Sequence, residues 1–67
     1  QTLFIQAPEV VSSIVAKNVL GQTLYIQVSG LNTKEPEVTL GQTVQPLWLE
    51  MTLANGETIV RKITIGN

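Results

Sequence analysis

The stretch that decides the fold is Leu47-Trp48-Leu49-Glu50-Met51-Thr52-Leu53-Ala54-Asn55-Gly56-Glu57-Thr58-Ile59-Val60-Arg61-Lys62-Ile63. Leu47, Leu49, Met51 and Leu53 fall on alternate positions, and so do Ile59, Ile63 and Ile65 with Arg61 among them. A period of two belongs to a strand with one buried face, and Asn55-Gly56 between two such runs marks a hairpin. A two-residue Asn55-Gly56 turn would pair Met51 with Val60 and Trp48 with Ile63, which puts the two apolar sets on opposite faces. A three-residue loop, Ala54-Asn55-Gly56, pairs Leu53 with Glu57, Met51 with Ile59 and Leu47 with Ile63, and gathers both sets on one side. One slipped residue would flip every side chain, so burial selects the three-residue loop, with Gly56 in the left-handed position of a type I turn with a bulge. This register sets Arg61 opposite Leu49, where the guanidinium must snorkel at the sheet margin. On the other face it sets Trp48 opposite Lys62 and Glu50 opposite Val60. The Trp48–Lys62 pair is read first as an amphipathic ring covering sheet surface beneath a cation, and second as a binding contact.

Outward from the hairpin the rest of the chain also reads as strand. Val, Ile and Thr make up 22 of the 67 residues, and β-branched side chains suit a pleated surface. Glycines at 21, 30, 41, 56 and 66 and prolines at 8, 36 and 46 punctuate the chain at intervals of about ten residues, the spacing of short strands in a sandwich or barrel. Thr2 to Ala7 is a strand with two apolar faces, Leu3 and Ile5 on one and Phe4 on the other, broken by Pro8. Val10 to Val15 follows, Val10, Ser12 and Ile14 opposing Val11, Ser13 and Val15. A helix through Val11, Val15 and Val19 competes there, disfavoured by its β-branched content and lack of a capping box. Gln22 to Ser29 is the clearest strand, with Leu24, Ile26 and Val28 on one face and Tyr25, Gln27 and Ser29 on the other. A polar loop with Asn32, Lys34, Glu35 and Pro36 leads to a short strand from Glu37 to Leu40, stopped by Gly41.

Composition excludes several chemistries. There is no histidine, cysteine or aspartate, so a zinc site of the usual kind, haem ligation by His or Cys, iron–sulfur clusters and a Ser-His-Asp triad cannot be built. Ser12, Ser13 and Ser29 are hydroxyls without an evident base. The formal net charge is −1, with Lys17, Lys34, Arg61 and Lys62 scattered along the chain, which is not the footprint of a nucleic-acid binder. No apolar stretch approaches the ~18 residues that span a bilayer, so no membrane insertion is expected. Glu35-Pro36-Glu37, with Glu9, offers carboxylates to a hard cation, but lacks the spacing of a calcium loop and reads as a solvated acidic turn. Leu20-Gly21-Gln22-Thr23 recurs as Leu40-Gly41-Gln42-Thr43. Two copies make no solenoid, and glycine turning the chain into a strand explains both. No cofactor is predicted.

From Pro8 onward the sequence resembles the immunoglobulin-like IPT or TIG modules. The residues are Pro8, Val10, Ser13 and Ile14, then Gly21-Gln22-Thr23-Leu24 through Ile26 and Val28 to Gly30, then Val38-Thr39-Leu40-Gly41. Val15 to Leu20 stands where that family carries a proline-glycine stretch. The resemblance, over roughly residues 8 to 41, implies a β-sandwich that holds things in place and brings no catalytic residues.

The expectation is therefore a single all-β domain over residues 1–67, a small immunoglobulin-like β-sandwich with a C-terminal β-hairpin, and no enzyme. Below ~70 to 80 residues a single core seldom supplies more than about 3 to 5 kcal/mol, and without disulfides or metal the remainder points to partner chains. The predicted role is a structural or interaction module, a homo-oligomer or one subunit of a larger assembly such as a fibre, filament or decoration protein. Its first residue is Gln1 and not Met, which fits either a processed chain or a piece of a longer one. Both fit an extracellular, cell-surface or virion setting. The N-terminal segment 1–7 either exchanges with a neighbouring subunit or pairs within its own sheet, since a sheet edge is covered one way or the other, and the candidate contact residues are Leu3, Phe4, Ile5, Tyr25, Trp48 and Lys62. The alternative is a monomeric adhesin or carbohydrate-binding module using Trp48 and Tyr25. A peptide-binding SH3-like barrel is disfavoured by an aromatic content of 4 %.

Overall fold

The computed structural model describes residues 2–41 and 46–64. All regular structure among them is β: β1 (Thr2–Phe4), β2 (Val11–Asn18), β3 (Thr23–Leu24), β4 (Ile26–Ser29), β5 (Glu37–Leu40), β6 (Leu47–Leu53) and β7 (Thr58–Ile63). They form two antiparallel sheets, one of three strands in the order β1-β5-β4 and one of four in the order β3-β2-β6-β7. The chain is thus all-β with two facing layers, and the helix considered through Val11, Val15 and Val19 is not formed.

The hairpin takes the register that burial selects. Leu47 pairs with Ile63, Trp48 with Lys62, Leu49 with Arg61, Glu50 with Val60 and Met51 with Ile59. The Leu53 amide donates to the Glu57 carbonyl at 2.8 Å and the Gly56 amide to the Leu53 carbonyl at 2.9 Å. Gly56 has φ +93°, with open space where a Cβ would sit. A side chain here would meet only the backbone penalty of the left-handed region, not a clash. The Asn55 side chain ties the turn, accepting from the Glu57 amide at 3.0 Å and donating to the Glu57 carboxylate at 2.8 Å. Leu47, Leu49, Met51 and Leu53 are all buried. Ile65 lies outside the described residues, as do Gln42 and Thr43 of the second Leu-Gly-Gln-Thr.

Three elements differ from the sequence reading. The strand predicted to end at Val15 runs on to Asn18, because Ala16 is buried opposite Leu49 and Lys17 pairs with Trp48. Its simple alternation fails at a bulge between Val11 and Ser13. The bulge lets Val11 and Ile14, of opposite parity, both enter the core, while the Ser12 hydroxyl donates to the Thr52 carbonyl at 2.9 Å. Finally, Gln22 to Ser29 is not one strand but two: β3 pairs with β2, β4 pairs with β5, and the chain changes sheets at Tyr25. Leu24, Ile26 and Val28 nevertheless all pack against the core, since the corner preserves parity.

Thr2 to Ala7 joins the three-stranded sheet of its own chain. Thr2, Leu3 and Phe4 pair with Thr39, Val38 and Glu37. The ladder continues past β1, with the Ile5 amide donating to the Pro36 carbonyl at 3.0 Å and the Ala7 amide to the Lys34 carbonyl at 2.9 Å. Leu3, Ile5 and Ala7 pack on the core, and Phe4 is 76 % exposed. After Pro8 the chain crosses to the other layer, where Val11 forms an isolated bridge to Thr33 in the loop between β4 and β5. The core is Val11, Ile14, Ala16, Val38, Leu40, Leu47, Leu49, Met51 and Leu53, and among the described residues no polar side chain is buried with it.

Candidate functional site

Two surface depressions stand out, one on a sheet face and one on an open flank. The first lies on the outer face of the four-stranded sheet. Strand alternation turns Val15, Lys17, Trp48, Glu50, Val60 and Lys62 away from the core, and pairing sets them in two rows, Val15-Glu50-Val60 and Lys17-Trp48-Lys62. The Lys17 ammonium meets the Glu50 carboxylate at 2.8 Å, with both side chains partly in solvent, so the pair contributes less than about 1 kcal/mol. The Lys62 ammonium stands 5.9 Å from the Trp48 ring centroid, within range of a weak cation–π attraction. The register read from the sequence accounts for this contact.

Beside Trp48 a depression of about 330 Å³ is lined by Lys17, Asn18, Val19, Gly21, Trp48, Glu50 and Val60. Its rim is the loop after β2, pinned by the Asn18 side chain. Asn18 Oδ1 accepts from the Leu20 and Gln22 amides at 3.0 Å, and Nδ2 donates to Gln22 Oε1 at 2.9 Å. Tyr25, 83 % exposed at the corner between the sheets, is not among the residues lining this depression.

The second depression is on the flank. On one side of the molecule the chain itself passes between the sheets through Tyr25. On the other, β1 and β7 are both edge strands and nowhere approach within 8 Å between Cα atoms. Between them lies a cleft of about 270 Å³ lined by Leu3, Phe4, Ile5, Gln6, Met51, Arg61, Lys62 and Ile63. It brings four of the six residues singled out from the sequence, Leu3, Phe4, Ile5 and Lys62, to one place, and it adds Gln6, Met51, Arg61 and Ile63. Arg61 sits in the inward register between Ile59 and Ile63 yet is exposed. It reaches solvent because β7 has no strand neighbour on that side among the described residues.

Neither depression holds a catalytic or metal-binding array. Glu9, Glu35 and Glu37 do not gather, and among the described residues no group of three or more candidate metal ligands stands together. What the flank offers is backbone: two strand edges without a neighbour among the described residues, beside exposed apolar surface, which is the chemistry of strand addition.

The chain matches no protein-family model, no curated protein and no solved structure.

Proposed function

We propose that the chain is a small immunoglobulin-like β-sandwich serving as a non-enzymatic structural and interaction module. In this reading it is a subunit of an extracellular, cell-surface or virion assembly of the fibre, filament or decoration type. Subunits are held by β-strand pairing and apolar contacts, with the N-terminal segment 1–7 exchanged between neighbours. The observation that carries the reading is the open flank. A 67-residue chain has little core to spare, yet among the described residues the outer edges of β1 and β7 have no strand neighbour and an apolar cleft lies between them. Strand exchange uses the contacts already present, Leu3 and Ile5 against the core and the ladder to β5, with the donor in another subunit. The crossing at Pro8 serves as the hinge. The resemblance to IPT or TIG modules supports the same kind of role.

The test is mass by light scattering over a dilution series, with chemical unfolding at the same concentrations. The expected result is a multimer whose unfolding midpoint falls on dilution, because subunit contacts then contribute to stability by mass action. A folded monomer with a concentration-independent midpoint would overturn the reading.

A further inference from the structure

The free edge of β7 carries its own complement. Leu53 and Glu57 are joined by a backbone hydrogen bond at the turn, and in an antiparallel ladder bonded and non-bonded pairs alternate. The amides and carbonyls of Ile59, Arg61 and Ile63 therefore face β6, and those of Thr58, Val60 and Lys62 face outward, where no strand among the described residues meets them. Glu57, Ile59 and Arg61 share the inward register, opposite Leu53, Met51 and Leu49, with the acid and the base placed symmetrically about the isoleucine. Glu57 and Arg61 are both exposed, and the one ion pair among the described residues, Lys17–Glu50, lies on the outer face of the sheet. Four positions along a strand separate Glu57 from Arg61 by about 13 Å, too far for them to pair with each other. Across the sheet, Ile59 ends a row of inward side chains that begins in the core, Ile14-Met51-Ile59.

From these features we infer that β7 pairs antiparallel with β7 of a second copy of the chain, about a two-fold axis at Ile59. In that register Ile59 meets Ile59 of the second copy, and the row Ile14-Met51-Ile59 runs on into the second copy's Ile59-Met51-Ile14 with no polar residue between the two cores. Glu57 falls opposite Arg61 of the second copy, and Arg61 opposite its Glu57, so two ion pairs form. Thr58 falls opposite Val60, and Val60 opposite Thr58, which brings their outward amides and carbonyls into bonding position. The two four-stranded sheets become one of eight strands, and the contact closes on itself as a two-fold requires. Charge and burial select the partner and the register together. An axis centred on Val60 would set Arg61 against Ile59 and Glu57 against Ile63, whereas an axis at Ile59 matches apolar with apolar and acid with base, the favourable cross-strand pairs. A strand that satisfies its own pattern in this way needs no foreign segment, and the pairing removes an open edge. The inference rests on the reading of the chain as an assembling module but not on β1 exchange, because β1 belongs to the other sheet whichever chain supplies it.

The test is sedimentation of the full chain over a dilution series, with two charge reversals made separately and then mixed. Glu57→Lys leaves this register with bases only and Arg61→Glu leaves it with acids only, so each alone opposes like charges twice across the axis. Each is expected to raise the concentration at which the mass falls by at least about tenfold, while both exposed sites leave the β-sheet circular dichroism in place. An equimolar mixture of the two variants should recover the parent behaviour, because each then supplies what the other lacks. Cysteine fixes the register: Ile59→Cys should form a covalent dimer on oxidation, its two copies lying at a non-hydrogen-bonded pair on the axis, whereas Val60→Cys, offset from its counterpart, should not. Single variants that sediment like the parent, a mixture that fails to recover, or cross-linking through Val60→Cys in place of Ile59→Cys would overturn the inference. A multimer indifferent to both reversals refutes the β7 contact and leaves segment exchange standing. A dimer that follows the charges while residues 1–7 stay in their own chain supports the β7 contact and counts against exchange, and a monomer at every concentration overturns both.

Discussion

Leu49→Ala is expected to leave the chain unfolded at 25 °C, with its β-sheet circular dichroism lost in the absence of denaturant. Leu49 is fully buried at the centre of β6, the strand gripped on both sides by β2 and β7. Its cross-strand neighbours are Ala16 and Arg61. One is too small to fill the space, and the other is held toward solvent by its charge, so the cavity cannot collapse. Leu→Ala at such sites costs about 2 to 5 kcal/mol, against a total of about 3 to 5 kcal/mol for a core of this size. The control is Val60→Ala on the opposite face of the hairpin, where 55 % exposure keeps the expected change within about 0.5 kcal/mol. Urea unfolding of both variants checks the pair. A one-residue slip of β7 against β6 would turn Val60 inward while Leu49 stayed buried, making both substitutions costly, so the comparison also tests the register.

The second large effect concerns the N-terminal strand. A chain beginning at Pro8 is expected to lose its native spectrum together with the assembly proposed above, and a peptide with the sequence of residues 1–7, added in millimolar excess, is expected to restore the spectrum. Deletion removes Leu3, Ile5 and Ala7 from the core and exposes Val38, which is fully buried. It also takes away the amides that donate to the Pro36 and Lys34 carbonyls. Burying a side chain of the Leu or Ile type is worth ~1.5 to 3 kcal/mol, and even half of that at two positions is comparable with the whole stability of the domain. Restoration follows because β1 is held by β5 along one edge and by core contact on one face, so a strand arriving from outside finds the same groove. A truncated chain with unchanged mass and midpoint would show that the segment contributes nothing to fold or assembly.

How much of this was legible in the sequence depended on how many constraints met at one place. The β6–β7 hairpin could be read to the residue because loop length, glycine position and two period-two patterns had to agree, and only one register satisfied all three. The contact of Lys62 with Trp48 came with that register. β5 was bounded by Pro36 and Gly41 and emerged as expected. The bulge near Ser12 was not readable, because an inserted residue in a strand changes parity without changing composition. The break at Tyr25 was hidden for the opposite reason: Leu24, Ile26 and Val28 keep their alternation through the corner, so the chain changes sheets with no interruption of pattern. The flank cleft was half legible. Leu3, Phe4, Ile5 and Lys62 stood out individually, but Met51, Arg61 and Ile63 join them only because β1 and β7 finish as edges on the same side, a fact of topology that no local pattern carries. Arg61 within an isoleucine face was the one hint, since a charge in an inward register belongs to an edge strand.

Strand exchange is tested most directly by placing a cysteine pair at Thr2 and Thr39. The two residues lie opposite each other, with side-chain oxygens 3.4 Å apart, at a non-hydrogen-bonded position where Cα atoms stand about 4.5 Å apart, a separation a disulfide spans. The chain has no other cysteine. After oxidation over a range of high protein concentrations, a denaturing gel without reductant should show covalently linked subunits that separate on reduction, because in an exchanged assembly each Thr2→Cys meets the Thr39→Cys of a neighbour. Monomers closed by an internal disulfide at every concentration would contradict exchange and return the N-terminal strand to its own chain.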